Sequence, residues 1–329
     1  MGAAASLGAR ARGAARWAAG GAGALLGGAR GAAGAAGAVG AAGALAGAGA
    51  LLGTSAAACL GVNAAGFALT AASRSHKITD LCGTGAFVAS AWATQRALAP
   101  AAGGGLPLLL TAAVSLWGAR LASFLFYRVC AMGEDRRLRF LFPQDAAEPW
   151  FTGPSAYPLK IAGFWTLQTL WSWVCLLPVT AAHGLAQSGR ALPIAGLQLA
   201  GLGVFALGFV VEAVADFQKY SFRSDPANDG RWCDRGLWSL SRHPNYLGEM
   251  AVWWGLWGAA MAGQAPPLAL LTSVSPLFST FLLLNVSGVP LLEAKSDKRY
   301  GGRPEYEAYK RRTGRVLPKF FSGGSAKGD

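Results

Sequence analysis

The stretch Ser241 to Gly263, SRHPNYLGEMAVWWGLWGAAMAG, sets a base, an acid, an amide and a phenol at the mouth of an apolar segment. Pro244 suits the first turn of a helix, where its missing N–H costs nothing, so the residues before it read as the helix entry. Asn245 and Glu249 then lie one turn apart on one face. The free N–H groups and dipole of such a helix start favour negative charge, and the cluster reads as a polar pocket for something anionic. Trp253, Trp254 and Trp257 read as a packing or interface belt.

Outward from this stretch, apolar runs long enough to cross a bilayer as helices recur along the chain. About six or seven are visible, near Ala56–Ala72, Leu81–Leu98, Leu106–Val129, Ile161–Ala182, Leu192–Ala215, Leu247–Gly263 and Leu268–Leu292. Composition agrees: of 329 residues 53% are hydrophobic and 14% charged, with a mean hydropathy of +0.35, which excludes an ordinary soluble domain. The expected fold is therefore all-α, a multipass transmembrane helical bundle of about six to seven helices, with a cofactor pocket in its C-terminal half.

The formal charge of +13 is spread through the gaps between runs instead of forming one stripe, so loops and lipid headgroups explain it and nucleic acid is not the expected partner. Its densest patches are GEDRRLRF at Gly133–Phe140 and YKRRTGR at Tyr309–Arg315. Five scattered cysteines without a C-x-x-C pair indicate neither a disulfide framework nor a zinc site. Residues 1–50 are Ala and Gly with a few Arg, and no acid precedes Asp80. That make-up fits an organellar transit peptide and equally a low-complexity tail. Glycine is too frequent there for a stable helix in water, so the segment stands outside the expected fold. Beyond it the chain divides into N-terminal transmembrane helices at 51–132, a proline-punctuated polar loop at 133–160, a C-terminal transmembrane domain at 161–320 and a polar tail at 321–329.

The chemistry concentrates between Glu212 and Glu249. Glu212 and Asp216 are four apart and share a helix face, a costly arrangement in a membrane unless they meet a partner or water. The segment DPANDG at Asp225–Gly230 is a turn, and Arg223, Arg231 and Arg235 flank it with cations suited to a phosphate or to lipid headgroups. His243 is one of three histidines and has Arg242, Asn245, Tyr246 and Glu249 around it in sequence.

Taken in order, EAVADFQ, FRSDPANDGRWCDRGLWSLSRHPNYLGEMAVWWG, SPLFSTFLLLNVSGVPLLEAKSDKRY and, earlier, WGARLASFLFYRVCAMGEDRRLRF make the chain resemble the steroid 5-alpha-reductase-like membrane proteins over roughly residues 80–318. The resemblance implies a helical membrane enzyme that holds NADPH in its C-terminal half and reduces a carbon–carbon double bond in a lipid: steroid, sterol, isoprenoid or fatty-acyl. It implies cofactor-binding roles for Glu212, Asp216, Arg223, Arg231, Arg242, Asn245 and Glu293. Asp216 and Asn245 would take the nicotinamide-ribose side, and Arg223 and Arg231 the phosphates. His243, Tyr246 and Glu249 become the catalytic candidates, with Glu249 orienting Asn245 and Tyr246 or His243 supplying a proton. Lys295, Tyr306 and Tyr309 fall where relatives close the pocket. The Glu and Tyr with which steroid reductases polarise an enone have no clear counterpart; Tyr127 and Glu134 are the nearest candidates.

The same superfamily contains the isoprenylcysteine carboxyl methyltransferases, which share an R-H-P-x-Y segment and bind S-adenosylmethionine, so a membrane methyltransferase is the alternative enzyme. A non-catalytic lipid-binding membrane protein is the third reading. The basic N-terminus points to a plastid or mitochondrion, and the reductase resemblance to the endoplasmic reticulum.

Overall fold

The computed structural model describes residues 32–132, 138, 141–143, 149, 151–152, 156–190, 192–262 and 264–319, with side chains from residue 49 onward except at position 132. Residues 1–31, Glu134 and the tail from 320 therefore lie outside the described residues. The chain separates into the units Met1–Ala46 and Gly47–Asp329, and the second holds everything that follows except the start of the first helix.

The described residues form α1 (Ala32–Ser73), α2 (Thr79–Arg96), α3 (Leu106–Met132), α4 (Leu159–Cys175), α5 (Leu177–Gln187), α6 (Gly196–Ser224), a short α7 (Leu237–Leu240), α8 (Pro244–Met261), α9 (Pro266–Thr272), α10 (Val274–Phe281), a π-turn (Leu282–Val286), α11 (Val289–Tyr300) and α12 (Pro304–Arg312). Among them there is no strand, only an isolated bridge between Ser241 and Gly314. The all-α expectation holds. Helix α1 starts at Ala32, inside the stretch that composition set aside.

Four helical segments are long and apolar enough to cross a membrane: Gly49–Ser73, Leu106–Ala131, Gly196–Ser224 and Pro266–Tyr300. The bent pair α4 and α5, turned by 47° at Leu176, makes a fifth if it counts as one span. This set is compatible with a multi-pass membrane protein and smaller than the six or seven expected. Helices α2 and α8 account for the difference. Both have 18 residues, but Asp80, Gln95 and Arg96 in α2 and Asn245 and Glu249 in α8 make them too polar. They serve as interior helices: Phe87 of α2 and Val252, Trp253, Leu256, Ala259 and Ala260 of α8 are buried.

The core joins the two halves. Phe87, Trp117 and Trp253 meet at centroid distances of 5.1, 5.1 and 4.9 Å, so Trp253 is a core residue. Trp254 is more exposed and donates to Thr280. Helices α6 and α8 pack along a glycine seam. Gly201 and Gly208 are two turns apart on α6, as are Gly248 and Gly255 on α8, and small residues so spaced let two backbones approach closely. A Cβ at Gly208 would stand 2.7 Å from the Gly248 carbonyl. The seam fixes the height of Asn245 and Glu249 on α8 against Glu212 and Asp216 on α6.

What is described of the loop at 133–160 packs instead of floating, with Leu138, Leu141, Phe142 and Tyr157 clustered on Ile161 and Trp165. At the other end of the chain, Trp232, Tyr300, Tyr306 and Tyr309 form an aromatic cluster that clamps α11 and α12 onto the loop after α6.

Candidate functional site

The site begins with an arginine in an apolar helix. A guanidinium in the middle of α3 needs counter-charge, and Arg120 finds two carboxylates. Its Nη1 donates to Asp216 Oδ2 at 2.7 Å, and it forms a second ion pair with Glu212. Trp117, one turn earlier on α3, donates its indole N–H to Glu212 Oε2 at 3.0 Å. The spacing of four between Glu212 and Asp216 therefore presents both acids to one cation. Their side chains are only 3% and 12% exposed, so the pairing is what makes their burial tolerable. From Asp216 the chain of contacts crosses to α8, where Asn245 Nδ2 donates to Asp216 Oδ1 at 3.2 Å.

Above this relay lies a cavity of about 250 Å³. The C-terminal half lines it with Glu212, Asp216, Asn245, Tyr246 and Glu249, and the π-turn region adds Leu283, Ser287 and Gly288. A π-turn is a common mark of a functional site in a helix. The N-terminal half contributes Asp80 and Thr84 from α2 and Leu121, Leu125 and Arg128 from α3, and α4 adds Gln168 and Trp171. Asp80 and Arg128 stand 4.0 Å apart. Asn245 lines the cavity, and its Oδ1 is buried with no hydrogen-bond partner among the described residues.

Five sequence-predicted residues thus meet at the cavity, with two adjustments. The residue that holds the Asn245 amide is Asp216, not Glu249, and Glu249 contributes a carboxylate to the wall. Asp216 and Asn245 also bond to each other, whereas the sequence had aimed both at a ligand.

Arg242, His243 and Glu293 are not among the lining residues; they form a latch. Arg242 Nη2 donates to Glu293 Oε2 at 2.8 Å and its Nε to Oε1 at 3.2 Å, while its Nη1 donates to the carbonyls of Lys310 and Thr313. His243 Nε2 bonds Glu293 Oε1 at 2.8 Å. Burial holds the His243 imidazole below the usual histidine value, against the opposing pull of Glu293. The ring stacks beside Tyr246, a residue of the cavity wall, with centroids 5.8 Å apart. The latch pins the start of α8 to α11 and to the C-terminal segment, which is how those distant residues position Asn245.

Arg223 and Arg231 do not line the cavity either; both are exposed at the end of α6 and in the loop beyond it. Arg223 is seven residues past Asp216, which puts it on nearly the same helix face about 10.5 Å further along. Lys295 is exposed, and Tyr306 and Tyr309 are buried in the aromatic cluster, where burial pushes both phenols above the usual tyrosine value. Tyr127 is exposed, within reach of Tyr220 and outside the cavity lining. The residues that sequence reasoning missed are Arg120, Trp117, Asp80, Arg128 and Gln168. The one available signal was Arg120 itself, a cation in the middle of the apolar helix α3.

An all-helical protein with several membrane-length helices and a polar, carboxylate-rich cavity between its two halves is the class that fold and site define. The chain belongs to the family described as protein of unknown function (DUF1295), whose model matches residues 66–313, a family related to the steroid 5-alpha-reductase-like proteins. Over 109 residues it is 36% identical to a protein of Ustilaginoidea virens titled "Probable O-methyltransferase ustE", a match covering 33% of this chain and 37% of that protein. The chain thus spans little more than a third of the length of this curated relative. No solved structure matches.

Proposed function

We propose that the protein is an integral-membrane, NADPH-dependent reductase of a carbon–carbon double bond in a lipid. The observation that carries this reading is Asn245 at the cavity: its amide nitrogen is spent on Asp216, and its buried carbonyl oxygen awaits an N–H donor. A nicotinamide carboxamide offers that donor. The space of about 250 Å³ is smaller than the roughly 300–1,000 Å³ of pockets that enclose whole drug-sized ligands, so it suits one end of a dinucleotide. The phosphates would then lie outside, where Arg223 continues the Asp216 face and Arg231 follows in the loop. On this reading both arginines would hold phosphates although neither lines the cavity.

When bound, NADPH would supply the hydride. This chain's own residues do the remainder. Asp216, fixed by Arg120, orients Asn245. Leu121, Leu125, Trp171 and Leu283 keep water from the reacting carbons. Tyr246, which lines the cavity, is placed to give a proton to the carbon that does not receive hydride, with His243 stacked behind it. Glu212, Asp216, Glu249 and Asp80 make the space favour developing positive charge. The test is loss of NADPH absorbance when conjugated lipids are added to the detergent-purified protein. Turnover that disappears in Tyr246→Phe supports the scheme, and no oxidation with any enone or enoyl lipid opposes it.

A second reading, S-adenosylmethionine-dependent methyl transfer, is favoured by two observations. One is the similarity to a protein titled as an O-methyltransferase. The other is the excess of carboxylates at the cavity, which suits a sulfonium cation. Arg223 and Arg231 weigh against it, because S-adenosylmethionine has no phosphate to neutralise.

A further inference from the structure

The cation among the described lining residues is Arg128, which stands 4.0 Å from Asp80, and Arg120, which is not a lining residue, is shared by Glu212 and Asp216. Glu249 adds another carboxylate to the same wall. Asp80 sits in the first turn of α2, at the positive end of the helix dipole. The rest of the wall mixes the apolar side chains Leu121, Leu125, Trp171 and Leu283 with the uncharged polar side chains Thr84, Gln168, Asn245, Tyr246 and Ser287. An anion moving into this space would leave water and meet, among the described residues lining it, no cation without a counter-charge. Burial of an unpaired charge beside carboxylates is strongly unfavourable. A carbonyl or hydroxyl escapes that penalty and still finds polar partners on the wall, Tyr246 and Ser287 among them.

We infer that the cavity is a charge filter: it admits lipids whose reacting end carries an uncharged oxygen and turns away those ending in carboxylate or phosphate. Asp80 and Glu249 are its specificity-determining residues. The inference rests on reading the cavity as the place where the lipid's reacting end lies. It narrows the substrate class to neutral conjugated ketones, aldehydes and esters, and excludes free unsaturated acids and prenyl phosphates. It also gives the N-terminal half a share in specificity through Asp80, while the C-terminal half supplies Glu249 and the cofactor residues.

The test is equilibrium binding of methyl farnesoate and farnesoic acid, a neutral and an anionic version of one conjugated chain, to the detergent-purified full chain at pH 8. The ester is expected to bind at least tenfold more tightly than the acid. Asp80→Asn and Glu249→Gln should each shrink that ratio at least threefold; comparing ratios cancels any difference in micelle partition, and either variant serves should the other fail to fold. Equal or tighter binding of the acid, a ratio unchanged in the folded variants, or binding of neither lipid would overturn the inference. NADPH binding is measured on the same samples. Its absence alongside an intact ester-to-acid ratio would sink the reductase reading and leave the filter standing.

Discussion

Arg120 Nη1 lies 2.7 Å from Asp216 Oδ2, so an arginine embedded in an apolar helix of the N-terminal half holds an acid of the C-terminal half in place. Removing one partner of a buried ion pair leaves an uncompensated charge, at a cost of about 3–5 kcal/mol. Arg120→Ala should therefore lower thermal stability in detergent by that order. Arg120→Lys should recover part of it, since an ammonium keeps the charge but not the fork that reaches two carboxylates. Thermal unfolding of both variants checks this, and an unchanged Arg120→Ala midpoint would refute it.

The glycine seam makes a sharper steric prediction. A Cβ at Gly255 would run into the backbone nitrogen of Phe205, where no side-chain motion can relieve the clash. Gly255→Ala should cost about 1–3 kcal/mol, the usual range for overpacking, whereas Gly203→Ala, which meets nothing nearby, should be neutral or stabilising. Paired melting curves decide between them.

Acidification should loosen the latch at the start of α8. Burial keeps the folded His243 less basic than a free histidine, and its Nδ1 has no hydrogen-bond partner among the described residues to receive a proton's bond. Above the unfolded value of about 6.5, both states are neutral and no pH dependence arises. As pH falls below that value the unfolded chain takes up a proton that the folded one resists, so stability falls. The slope from this residue is at most about 1.4 kcal/mol per pH unit. Stability measured from pH 7.5 to 5 should drop more steeply in the wild type than in His243→Gln.

If Arg223 and Arg231 hold phosphates outside the cavity, their contribution is solvent-screened. Arg223→Ala should weaken NADPH binding about tenfold at low ionic strength, and raising the salt should shrink that difference. A salt-independent loss would argue that the phosphates are buried.

How far the chain was legible depends on the range of the interaction. Helices α3 and α6, the sharing of a face by Glu212 and Asp216, and the place of Pro244 at the start of α8 all follow from local spacing, and the structure has each of them. The cation that binds the two acids was not legible, because Arg120 comes from another helix, 96 positions from Asp216. The same limit misread the latch. Arg242, His243 and Glu293 look like ligand-binding groups when read one at a time, but α11 and the C-terminal segment fold back so that they satisfy one another. The number of membrane-length helices was overestimated because a stretch rich in small and aromatic residues, such as α8, reads as a span yet serves as an interior helix between α6 and the rest of the bundle.

The most direct test of the reductase account is equilibrium binding of NADPH and S-adenosylmethionine to the detergent-purified protein and to Asn245→Ala, with melting curves establishing that the variant is folded. The account predicts that NADPH binds, that S-adenosylmethionine does not, and that Asn245→Ala weakens NADPH at least tenfold. Binding of S-adenosylmethionine without NADPH, or NADPH binding indifferent to Asn245, would contradict it.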